Sequence, residues 1–126
     1  MTAERYLEEH RARHTEWRRT LHQQPELAFE EHKTSDFICA RLAEMGIPFA
    51  RGLAGTGVVA TLEGKGPGLT IGLRADIDAL PIHEETNLPY RSRHPGKSHA
   101  CGHDGHATIL LAAAEYLAQS RNFEGK

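Results

Sequence analysis

Residues 98 to 107 read SHACGHDGHA and place three histidines, one aspartate and one cysteine in ten positions. Cys101 and His103 are separated by one residue. In an extended segment, side chains two apart point the same way, so a thiolate and an imidazole can converge on one ion. Both are good zinc ligands, and imidazole also suits manganese or nickel. A helix is predicted to begin directly after them, and the partial positive charge at its N-terminus favours the thiolate form of Cys101. Two other readings use the same residues. Cys101 can be a nucleophile activated by His99, His103 or His106, or a free thiol in a histidine-rich loop. A chelator separates the first from a metal site, because it stops metal-dependent turnover and leaves a thiol enzyme running.

A second chemical segment is RADIDALP, residues 74 to 81. Asp76 and Asp78 follow a strand-like run, and sites in α/β proteins gather at the carboxyl ends of strands. Two carboxylates there can bind a metal or accept a hydrogen bond from a ligand histidine. They can equally cap backbone amides in a turn. His10 and His14 fall on a helical stripe and read as packed side chains, His22 and His32 have no evident partner, and Cys39 reads as a small core residue. GKGPG is no phosphate loop, because the Lys-Ser/Thr ending is missing.

The elements that must position these residues read as mixed α/β. Ala3, Leu7, His10, His14, Trp17 and Leu21 recur at steps of three and four and predict one helix over 3–22, N-capped by Thr2 and ended before Pro25. A second helix is predicted over 30–44, with Gly46 in a left-handed turn after it. TGVVATLEG and LTIGLRA, joined by KGPG, predict a β-hairpin over about 57–75, with IPFARG as an additional edge strand. Both VVATL and LTIGL have few polar positions, so both faces of the sheet are meant for burial, in a chain too short to cover both. Residues 76–100 are broken by Pro81, Pro89 and Pro95 and read as a long functional loop. A third helix is predicted over 104–120, with Ile109, Leu110, Ala113, Ala114 and Leu117 as its apolar face.

Bulk properties bound the rest. The 126 residues suit one domain, and 39% hydrophobic and 25% charged content suits a folded globular chain. A net charge of −2 gives no general attraction to nucleic acid or an anionic membrane. No apolar run approaches the roughly 18–20 residues of a membrane span. The charged N-terminus has no apolar core of a secretory signal, so the two cysteines, Cys39 and Cys101, are expected to be reduced thiols in a cytoplasmic protein.

Four stretches in this order carry a resemblance: LHQQPELAFEEHKTS, GTGVVATLEG, IGLRADIDALPIHEETNLPYRS and HACGHDGHATILLAAAEYLA. Together they resemble the M20 metallopeptidase group, in the branch of hippurate hydrolases, N-acyl-amino-acid amidohydrolases and auxin-conjugate hydrolases. The resemblance runs from about Trp17 to Lys126. It implies a zinc-peptidase-like mixed sheet flanked by helices, and a two-metal hydrolase that cleaves the amide bond of an N-acyl-amino acid. In such an enzyme the metal pair lowers the pKa of a bridging water and polarises the scissile carbonyl, and a glutamate carries the proton to the leaving amine.

Residue by residue, the resemblance implies Cys101 and His103 as ligands, with zinc or manganese, or nickel, as the metal pair. Asp78 is the catalytic-site residue that orients a ligand by hydrogen bonding. Asp76 stands where sister branches carry a ligand histidine, and it takes a supporting place with Asp104 and His106. Ser98 departs from the methionine common before HACGH. Enzymes of the group are considerably longer, with the paired glutamates, two more ligand histidines and a lid or dimerisation domain following the portion matched by these residues. Residues 1–126 are therefore expected to be the N-terminal portion of an M20 catalytic domain, inactive alone, binding metal weakly or not at all, and self-associating into a homo-oligomer. A non-catalytic piece that self-associates is the remaining reading.

Overall fold

A computed structural model describes all residues from Met1 to Lys126. Four helices and a two-stranded sheet follow one another as α1 (Ala3–Glu9), α2 (Arg11–Gln23), α3 (His32–Glu44), β1 (Phe49–Leu53), β2 (Gly57–Ala60) and α4 (His103–Ser120). The architecture is mixed α/β, as expected.

The single helix expected over 3–22 is two. His10 interrupts it at φ −107° and ψ 9°, and its Nδ1 takes the Tyr6 carbonyl at 2.8 Å. Thr2 caps the start, its hydroxyl accepting the Arg5 amide at 3.3 Å. The first turn of α3 is capped from a distance: the Glu26 carboxylate accepts the Lys33 and Thr34 amides at 3.1 and 2.6 Å. At its far end Gly46 is left-handed, φ +69°, as predicted. The Gly46 amide reaches the Ala43 carbonyl and the Ile47 amide the Leu42 carbonyl, both at 3.0 Å. That paired closure folds Ile47 back onto Leu42, and both side chains enter the core.

The hairpin lies one element earlier than predicted. β1 pairs antiparallel with β2 in the register Phe49↔Ala60, Ala50↔Val59, Arg51↔Val58 and Leu53↔Gly57, with a bulge between Arg51 and Leu53. Thus IPFARG is the partner of GVVA. The turn is closed by Ala54 and Gly55, both at positive φ, and such a short loop is favoured over one through KGPG. The run from Leu69 to Arg74 forms no ladder with β2. Its start instead pairs with the C-terminal residues: the Lys126 amide donates to the Leu69 carbonyl at 3.0 Å, and the Ile71 amide to the Lys126 carbonyl at 2.8 Å. One residue bonded to two flanking positions of its neighbour is the parallel pattern.

The core is formed by Trp17, Ile38, Leu42, Ile47 and Leu111, with Val58, Leu62 and Ile77 against it. It lies where α2, α3 and α4 meet the hairpin. Along α4 the buried positions are Asp104, Ala107, Thr108, Leu111 and Ala112. The predicted apolar face is therefore displaced, and Ile109 is 68% exposed. LTIGL, expected to need cover that so short a chain does not supply, is open: Leu69, Ile71 and Leu73 are 86%, 74% and 64% exposed.

Candidate metal centre

Two backbone links bring the chemical segments together. The Ala79 amide donates to the Glu26 carbonyl at 2.8 Å, and Leu80 and Ser98 exchange amide–carbonyl bonds at 2.9 and 3.0 Å. RADID and HACGHD thus lie side by side, as predicted. Ser98 is buried, and its hydroxyl donates to the Ile82 carbonyl at 2.7 Å, so the serine adds a tie at this neck.

His103 opens α4. Its Nδ1 sits 2.9 Å from Asp78 Oδ1 and 3.0 Å from the Asp78 carbonyl oxygen. Both neighbours are acceptors, so Nδ1 carries the proton and Nε2 presents its lone pair on the opposite side of the ring. Nε2 lies 3.9 Å from Asp76 Oδ2, and Asp76 is itself paired with Arg74. Gly102 precedes the helix at φ +88°, a left-handed turn that a side chain adopts only with strain. Cys101, just outside that turn, is an exposed free thiol. The His106 ring lies 5.3 Å from that of His103, centroid to centroid.

His99 is only 5% exposed, and neither ring nitrogen has a hydrogen-bond partner. Burial lowers its pKa, and the neighbouring His22 and His103 act in the same direction against Asp104 and Asp78. The ring is therefore neutral at neutral pH.

Asp104 does not face the His103–Asp78 pair. Its carboxylate is buried and accepts from His22 Nδ1 at 2.8 Å and Arg18 Nε at 3.2 Å. His22 Nε2 in turn meets Glu84 Oε1 at 2.9 Å. His22, which the sequence left without a partner, and Glu84, which it did not single out, are thus part of the surroundings of the centre. The signal available was the position of His22 three residues before Pro25, which fixes where α2 stops.

The donor set suits a borderline divalent ion: an exposed thiol and an imidazole whose free nitrogen is fixed by a carboxylate. No three His, Cys, Asp or Glu side chains converge on one point. The residues in hand thus fit part of a coordination shell.

The profile of peptidase family M20/M25/M40 matches residues 72–126. The hippurate hydrolase of Campylobacter jejuni is 49% identical over 86% of this chain. The chain is similar to members of the M20 family. An N-acyl-L-amino acid amidohydrolase of Geobacillus stearothermophilus is 45% identical over 84% of this chain. Among solved structures, the Bacillus subtilis YxeP protein, described as a dinuclear metal binding peptidase of the M20 family, superposes with a TM-score of 0.87 at 44% identity over 90% of this chain. This chain spans 28% and 29% of the lengths of the two curated relatives and 33% of the solved one.

Proposed function

We propose that residues 1–126 form the N-terminal part of the catalytic domain of a metal-dependent amidohydrolase acting on N-acyl-amino acids. The observation that carries this reading is the His103–Asp78 pair. A ligand histidine needs its second nitrogen held, and Asp78 holds Nδ1 with both a carboxylate and a carbonyl oxygen. Cys101 and His103 would hold the ion, which would supply a water of lowered pKa and a Lewis acid for the amide carbonyl. Asp76, near Nε2, adds negative charge that favours a cation there. His106 lies beside the His103 ring and supports it from the first turn of α4. Zinc and manganese are the preferred ions, with nickel as a third.

The thiol-hydrolase reading is weaker. Neither His99 nor His103 hydrogen-bonds the Cys101 thiol: His103 is committed to Asp78, and His99 has no partner. We further propose that the protein acts in the cytoplasm, consistent with its two free thiols, on a small molecule and not on nucleic acid. No helix is long and apolar enough to cross a membrane.

The test is a chimera in which residues 1–126 replace the matching segment of the Campylobacter jejuni hippurate hydrolase. Hydrolysis of benzoylglycine that is lost on chelation and in Cys101→Ala is the expected outcome. Turnover that survives chelation would favour the thiol reading, and an inactive folded chimera would count against both. The isolated chain is expected to be inactive with zinc or manganese, because two ligands leave an ion largely hydrated. Metal-dependent turnover by that chain, abolished by Cys101→Ala, would overturn this expectation.

A further inference from the structure

We infer that His22 is a positioning residue for the metal centre, a bridge that fixes the first turn of α4 and hence the orientation of His103. His22 stands in the last turn of α2. Its two ring nitrogens reach two carboxylates on different segments, Asp104 Oδ2 at 2.8 Å and Glu84 Oε1 at 2.9 Å. All three side chains are about nine-tenths buried or more. A carboxylate oxygen only accepts, so each ring nitrogen of His22 faces an acceptor. Arg18 also reaches the Asp104 carboxylate.

The bridge is connected to the centre at both ends. Asp104 is the residue after His103, so the rotation of the first turn of α4 is fixed by where the Asp104 carboxylate is anchored. Glu84 belongs to the segment that leaves Asp78, and it is held by Thr86 and by the Ser92 amide at 2.9 Å. His22 thus ties the element carrying His103 to the segment carrying Asp78, and their 2.9 Å contact is the product of that tie. A neutral amide cannot replace the ring, because it has one donor nitrogen. His22→Asn keeps reach to Asp104 alone, and His22→Gln to Glu84 alone.

The inference rests on the reading of His103 as a ligand for its functional meaning, but its readout does not. In the metal-free chain, the ring nitrogen shifts of His103, measured by NMR, report which nitrogen carries the proton. The wild type is expected to be protonated at Nδ1. In His22→Ala the fraction protonated at Nε2 is expected to rise about tenfold, the effect of losing one hydrogen bond to a charged group. His22→Asn and His22→Gln should each restore only part of the wild-type value. The Leu111 amide, buried in the same helix, serves as the control: its hydrogen exchange should change less than the His103 tautomer. An unchanged tautomer in folded His22→Ala, or one that moves only in step with Leu111 exchange, overturns the inference. If His22→Ala does not fold, Glu84→Gln serves instead, with a smaller shift in the same direction expected and no shift overturning it. A parallel cobalt(II) titration, read by the thiolate-to-cobalt band of Cys101, tests the metal reading separately. No band in the wild type would sink that reading and leave the tautomer result standing.

Discussion

At the scale of single residues, Asp78 decides how His103 is used. Its side chain and its backbone oxygen both take the Nδ1 proton. Asp78→Ala removes the carboxylate and leaves the carbonyl, so the tautomer is weakened and not abolished. Metal affinity in the chimera is expected to fall about 10–100-fold, the range found when such an outer partner is removed. Competition with a calibrated chelator measures it. Unchanged affinity would mean that the carbonyl alone suffices. This contact was expected through the family resemblance, which made Asp78 the residue that orients a ligand; the 25 positions between the partners hide it from local periodicity, and the Leu80–Ser98 bridge closes that distance. Asp104 was legible as a supporting member of the motif, but its partners, His22 and Arg18, were not. Position in a helix sets direction, and one step along α4 turns a side chain by about 100°, away from His103 and towards α2.

At the scale of elements, α1, α2 and α4 are joined by a charged cluster. Arg13 reaches Glu115 at 2.6 Å and His14 reaches it at 3.0 Å. Burial pushes the Glu115 carboxyl up, but hydrogen bonds from His14, Arg13 and Tyr6 outweigh it and hold the pKa below the ordinary 4.5. Glu84 is shifted the same way: burial raises it, and Thr86, Ser92 and His22 together prevail. A carboxyl with a lowered folded pKa contributes stability that is complete above its unfolded value and is lost as pH falls through the folded one. Thermal midpoints should therefore be level above about pH 5.5 as far as these two groups are concerned, and fall on acidification below 4.5. Glu115→Gln should flatten part of that fall. An identical acid profile in the variant would assign the loss to other carboxylates.

Gly102 gives a second test at this scale. An alanine there meets nothing within 4 Å, so Gly102→Ala carries only the backbone cost of φ +88°. A loss of about 1–2 kcal/mol in urea unfolding is expected. Helix boundaries were readable to within a few residues because the Gly46 turn and the α4 start have local signals. The hairpin was not, since VVATL has two apolar neighbours in the chain and periodicity alone does not choose between them.

At the scale of the whole molecule, the row Leu69, Ile71 and Leu73 is the largest departure from a buried interior. Its last member, Leu73, lines an open groove of about 370 Å³ together with Ala75, Ile109, Leu110 and Ala113. Exposed apolar rows on an unpaired edge promote association. The chain is expected to self-associate in light scattering, and Ile71→Lys to shift it towards monomer. A strict monomer at high concentration in the wild type would contradict this.

The joined backbones of Leu80 and Ser98 have a different consequence. They close the intervening segment at its base, and the Glu84 and Ser92 contacts close it again further out. Residues 85–91 are thus a tip carried on a doubly fastened stem, and they touch the structure beneath through Thr86 on Glu84 and Tyr90 on His22. Lengthening that tip to twice its size costs only about 0.6 kcal/mol of closure entropy. Residues 87–89, between those two contacts, are where evolution, or an engineer, can add sequence with least effect on the chemistry beneath.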